Sequence, residues 1–139
     1  RQVHQYQGRV GGPLMDRIDV HIDVARIPPG QVLSTGHGTS SDKLREGVLS
    51  AREYASWRCS TTGLDERVRQ AEVLVESCAM SDADRAFMEK LAASGSMSGR
   101  AIMRTLALAR TIADMEQVPK VGRDHLCEAV GFRLREGGA

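Results

Sequence analysis

This sequence is poor in aromatic residues, in paired cysteines and in long apolar runs, and each shortage narrows what it can be. Aromatics make up 4% of its 139 residues: Trp57, Tyr6, Tyr54, Phe87 and Phe132. A core must therefore come from Leu, Val, Ile, Ala and Met, a mixture that suits helix packing better than a β-sandwich. The three cysteines, Cys59, Cys78 and Cys127, are far apart with no CxxC pair, and His4, His21, His37 and His125 are equally scattered. That pattern argues against a zinc site or a disulfide framework, and for buried free thiols in a reducing, cytoplasmic setting. No apolar run reaches bilayer-spanning length and nothing reads as a secretory leader, so no membrane partner is expected. A dominant charge is missing too. Nineteen basic residues against eighteen acidic ones give a net charge of +1, so binding to nucleic acid would need a local patch or oligomerisation.

The clearest pattern near the start is "IDVHIDV", residues 18–24, where Ile18, Val20, Ile22 and Val24 alternate with Asp19, His21 and Asp23. Period-2 alternation predicts one half-buried or edge strand. Pro28 and Pro29 stop it, and residues 28–41 have linker chemistry in Pro, Gly, Ser and Thr. Residues 1–27 therefore read as a loop plus strand, 28–41 as a linker, and 42–139 as a helical domain. The chain starts at Arg1 in mid-pattern, and is expected to be an excised piece of something longer.

Within the helical domain the spacing predicts four to five helices. Ser40 or Ser41 caps a helix over about 42–58 with Leu44, Val48, Ala51 and Ala55 on its inner face. A shorter helix follows through Val68, Ala71 and Val75. Ser81, with Asp84 three residues on, opens a helix to about Ala93 that turns Ala83, Phe87 and Leu91 inward, and Gly95 ends it. The best-patterned helix runs from about Ser98 to Gln117, striped by Ile102, Leu106, Ala109 and Ala113 and flanked by Met97, Met103 and Met115 as core filler. Arg104 and Arg110 read as surface residues, the latter in a weak local pair with Asp114. A last helix over about 123–135 carries Leu126, Ala129, Val130 and Leu134 inward, with His125 packed near its start.

Three stretches carry a resemblance. "YQGRVGGPLMDRIDVHIDV" (6–24) resembles the segment that closes the nucleotide-binding core in the magnesium-chelatase-like branch of the AAA+ ATPases. "MSGRAIMRTLALARTIADME" (97–116) is similar to that family's later signature, and "VGRDHLCEAVGFR" (121–133) matches as well. The nearest subgroup is the competence-associated one, and the likeness covers nearly the whole chain. It implies a mostly α fold, the C-terminal helical lid bundle of an AAA+ module, preceded by a loop and one strand left from the core. Gly11 and Gly99 depart from the family pattern, and residues 59–80 are the least recognisable.

The resemblance also implies a mechanism. The parent protein would hydrolyse ATP with Mg²⁺ as a ring of identical subunits, expected to be a hexamer, and would remodel DNA in competence and recombination. Arg17 would be the arginine finger, lent in trans to the neighbouring subunit's γ-phosphate, where a planar, permanently charged fork suits phosphate oxygens. Arg100, in the first turn of the long helix, would be the second sensor, acting in cis. Arg9 falls on a position where it would either serve the interface and the nucleotide or brace its loop. The plain alternatives are a surface pair of Arg17 with Asp16 or Asp19, and a solvated Arg100. "GRVGG" (8–12) lacks the Lys-Ser/Thr ending of a phosphate loop, and no Walker A or Walker B motif occurs anywhere. The chain alone should be catalytically inactive, with no cofactor bound. Two rival readings are a small helical DNA- or protein-binding module and the lid of a metal-chelatase motor subunit.

Overall fold

The computed structural model describes residues 17–33, 38–65 and 70–133. Their helices are α1 (Pro29–Leu33), α2 (Ser41–Thr62), α3 (Ala71–Ser77), α4 (Asp82–Ser94), α5 (Gly99–Met115) and α6 (Arg123–Gly131). Half of them begin where a serine can satisfy the first free N–H groups. Ser40, Ser81 and Ser98 each accept a backbone N–H through the side-chain oxygen, from Lys43, Asp84 and Ala101 respectively. The ends are equally local in origin. Gly63 closes α2 in the left-handed region at φ 72°, with its N–H bonded back to Cys59 O. Gln117, at φ 57°, reverses the chain after α5 so that the Val118 N–H reaches Ala113 O.

Helix α5 is the axis of the bundle, touching α2, α3 and α6, while α4 packs against α6. It can do this because one side is built from small residues. Ala101, Thr105, Ala109 and Ala113 are all buried at one-turn spacing, which lets neighbouring backbones approach closely. The Thr105 hydroxyl is satisfied within the helix by Ala101 O. Leu106, Ile112, Val121, Leu126 and Ala129 fill the centre, with Cys78 and Met88 from the α3–α4 side. A backbone bond from Val121 N to Cys78 O, 2.8 Å long, stitches the turn after α3 to the turn before α6. The guanidinium of Arg123 lies 4.5 Å from the Phe87 ring centre and ties α6 to α4.

Several sequence expectations change. Residues 18–24 form no strand: no second strand among the described residues offers them a ladder. Inside the expected linker, Pro28 O accepts from Gln31 and Val32, giving the short helix α1. Leu44 is 60% exposed and Val48 49%, because the first half of α2 runs past the end of α5 and nothing described covers it. Ala83 faces solvent while Met88 takes the buried place on α4. Met115 is also exposed, since it sits on the side of α5 away from the core. Of the thiols only Cys78 is in the core, with Cys59 half-buried and Cys127 exposed. Leu134, Val68 and the ends of their expected helices lie outside the described residues.

A cavity left at the centre should be expensive and one at the overhang should not. Leu126→Ala is expected to lower unfolding free energy by about 2–5 kcal/mol, and Leu44→Ala by no more than about 0.5 kcal/mol. Urea titration followed by far-ultraviolet dichroism separates them; equal losses would mean that the overhang is packed in solution.

Candidate functional site

The charged residues of α5 divide by turn. Near its start, Arg100 is exposed in the first turn, beyond the Ser98 cap. A cation there opposes the positive end of the helix dipole, and no described residue forms a hydrogen bond or ion pair with its guanidinium that would offset this. Arg17 is exposed as well, and its guanidinium is likewise without a partner among the described residues. Arg9 lies outside the described residues. Among the described residues, then, two cations have no charged partner.

The structure also ties the Arg17 backbone to α5, through a residue that sequence reasoning assigned to the surface. Arg104, one turn after Arg100, donates through Nη1 to the carbonyl of Arg17 and to Oδ1 of Asp19. Two further bonds hold the same stretch. The His21 N–H donates to Phe132 O at 2.7 Å, and Arg133 Nη1 reaches Ile18 O at 3.3 Å. The leader is therefore docked on α5 and on the end of α6 over residues 17–21. Past that point Ile22 and Val24 become strongly exposed. Arg104 carries a mark that could have been read: it is one turn from Arg100 on the polar side of a helix start, where a long side chain can fold over a passing strand. Beside this contact an open cleft of about 520 Å³ lies between Asp19, Gln70, Leu74, Met103, Arg104 and Thr111.

The docked leader carries an imperfection. Both ring nitrogens of His21 are buried and have no hydrogen-bond partner among the described residues. A buried, unsatisfied polar group costs about 1–3 kcal/mol, so the docked leader holds a penalty against its backbone bonds.

Near the other end of α5 the chemistry is structural. Arg110, expected on the surface, is 3% exposed, and Asp114 is 6% exposed. Arg58 from α2, which drew no attention in the sequence, is 3% exposed and grips Asp114 with two parallel bonds of 2.9 and 2.8 Å. Arg110 Nη2 lies 3.0 Å from Asp114 Oδ1, the oxygen that also accepts from Arg58 Nε, and donates to Val118 O, while its Nη1 donates to Ser77 O and Pro119 O. Two cations thus share one anion. The surplus positive charge rests on the Ser77 carbonyl at the C-terminal end of α3, where the helix dipole is negative, and on carbonyls of the turn between α5 and α6. The correction has a simple origin. Residues 110 and 114 follow directly after the fully buried Ala109 and Ala113, so a rotation of about 100° leaves them at the margin of the core. Nearby, His125 Nδ1 accepts from Gly122 N and its Nε2 meets Glu116 Oε2, both at 2.9 Å, which tightens the start of α6.

Among the described residues no group of His, Cys, Asp and Glu could hold a metal ion, and no helix is long and apolar enough to cross a membrane. Comparison with known proteins adds a family. Residues 38–133 match the model described as magnesium chelatase, subunit ChlI C-terminal, and residues 1–32 match the one described as magnesium chelatase, subunit ChlI. The competence protein ComM of Haemophilus influenzae is 34% identical over 134 residues, 96% of this chain and 26% of its own length. The uncharacterized protein YifB is 34% identical in Salmonella typhimurium and 33% in Escherichia coli, over 95% of this chain. The chain spans about a quarter of the length of these relatives.

Asp114→Ala would leave two buried guanidinium groups facing each other with no anion between them. The expected loss is about 3–5 kcal/mol of unfolding free energy, against less than about 0.5 kcal/mol for the exposed Thr111→Ala. A urea midpoint for Asp114→Ala close to the unsubstituted protein's would show that the charge cluster is not what joins α2 to α5.

Proposed function

This chain belongs to the magnesium chelatase subunit ChlI C-terminal family, and from that premise we propose that it is the lid, with the adjoining edge of the core, of a magnesium-chelatase-like AAA+ ATPase. In this reading the parent is a ring, a hexamer, that hydrolyses ATP with Mg²⁺ in the cytoplasm. Its work is DNA remodelling in competence and recombination, a reading supported by likeness to a competence protein across nearly all of this chain.

The observation that carries the proposal is the pair Arg17 and Arg100. Each is exposed and unpaired among the described residues, and Arg104, one turn after Arg100 on α5, holds the Arg17 carbonyl. Such cations fit the oxygens of a triphosphate, which carry several negative charges and accept forked hydrogen bonds. Bound ATP supplies the γ-phosphoryl group and its developing negative charge. Arg17 lies on that charge across the seam between subunits, as an arginine finger in trans. Arg100 lies on its own subunit's nucleotide as the second sensor, so that lid position follows nucleotide state. Arg9 has a supporting place at the same interface. Magnesium and the phosphate cradle are held by the rest of the parent, since this chain has no Walker motif.

The metal-chelatase motor stands as a second reading because the matching family model carries that name. Stimulation of the ATPase by DNA, with none by a porphyrin, favours the first reading; the reverse favours the second.

Four outcomes follow for turnover. The isolated chain should hydrolyse no ATP in a phosphate-release assay. In the full-length protein Arg17→Ala should lower kcat by about 10³-fold or more. Mixing that variant with a subunit disabled in Walker A should restore part of the rate, because some seams then combine an intact site with an intact Arg17. Arg100→Ala should reduce the rate without such recovery; recovery would move Arg100 to the neighbour's site.

A further inference from the structure

We infer that Arg104 is a positioning residue that fastens the Arg17 segment to the lid helix, so that sensor and finger move as one body. The inference rests on the proposed roles of Arg17 and Arg100, but its physical core, the fastening, does not. Arg104 is the only side chain described as bonding both Arg17 and Asp19, and it is rooted on α5 four residues after Arg100. A helix is stiff over one turn. Any displacement that a phosphate imposes on Arg100 is therefore delivered to Arg104, and through its Nη1 to the backbone that aims Arg17.

The fastening is built to be reversible. The Arg104–Asp19 pair is partly open to solvent, with side-chain exposures of 30% and 66%, so it is screened and modest. The bonds from Arg133 to Ile18 O and from His21 N to Phe132 O extend the contact by four residues along the leader. Opposing them is the His21 ring, with both nitrogens buried and unpartnered. Release of the leader would return those nitrogens to water. Attraction and penalty thus act on the same five residues, which makes a two-position element of residues 17–21. A segment that must swing a guanidinium toward and away from a seam needs that balance; one locked by a fully satisfied interface could not move.

Two measurements test this, and they fail independently. The first needs no nucleotide and uses this chain. Amide exchange by nuclear magnetic resonance reads the His21 N–H, whose bond to Phe132 O reports docking. Arg104→Gln should speed its exchange by roughly threefold or more, Arg104→Lys should recover part of the protection, and His21→Phe should slow exchange below that of the unsubstituted chain. Unchanged exchange in Arg104→Gln, with the amides of α5 also unchanged, overturns the fastening. The second uses the full-length ATPase. Arg104→Gln should lower kcat while leaving the KM for ATP within about twofold, and it should cause no further loss in an Arg17→Ala background. Independent, multiplying losses would overturn the link between Arg104 and Arg17. If Arg17→Ala leaves hydrolysis intact, the finger assignment fails while the exchange result stands.

Discussion

The bundle depends on a carboxylate that almost no water reaches. Asp114 is gripped by the Arg58 fork from α2 and approached by Arg110 from its own helix, and Arg110 in turn holds carbonyls at the end of α3 and in the turn before α6. Helices α2 and α5 meet at this one charge, and through Arg110 it is linked to the end of α3 and the turn before α6. A hydrophobic contact would tolerate sliding at such a crossing, because it has no direction. A bidentate fork does not: its two bonds fix both the distance and the rotation of α2 about α5. Such a cluster contributes little net stability over a well-packed apolar one, so its effect here is on geometry. It decides how α2 sits on α5, and α5 carries both arginines of the upper turns.

The opposite end of α5 follows different rules. There the side chains are exposed, and the contacts they make are with the leader rather than with other helices. Small residues on the inner side let α5 lie deep in the bundle, so its outer side rises only slightly above the surface, within reach of a passing chain. The same helix is thus a core element along one stripe and a platform along the other. Its charges sort accordingly, into two buried arginine-carboxylate contacts low down and free or leader-bound guanidinium groups near the start.

How much of this was legible in the sequence varies with the range of the interaction involved. Ser81, Ser98 and Gly95 announced their helix ends because a cap is made from residues three or four apart. The stripe of Leu106, Ala109 and Ala113 was legible for the same reason. The alternation at 18–24 suggested a strand, but a strand exists only with a partner, and no local pattern supplies one. Leu44 and Val48 looked like core on spacing alone, yet spacing says which face they share and not whether anything covers it. Arg110 and Asp114 were misassigned because their polar identity outweighed their position beside two buried alanines, and Arg58 was passed over because its partner is 56 residues away. The paired arginines Arg17 and Arg100 came from family resemblance and not from pattern; Arg104, which joins their neighbourhoods, needed coordinates.

The overhang of α2 has a mechanical meaning. Twenty-two residues make a rod about 33 Å long, and the bonds described from it to α5 and the turn beyond run from Ser50, which meets Gln117, to Arg58, which meets Asp114. The first turns, with Leu44, Val48 and Leu49 on them, project beyond that support. A rod clamped over its second half is a cantilever. A push on its tip becomes a torque at Arg58, borne by a fork whose bonds are strongest along one direction. Whatever presses on the apolar tip of α2 thereby presses on Asp114, and so on the helix that carries Arg100.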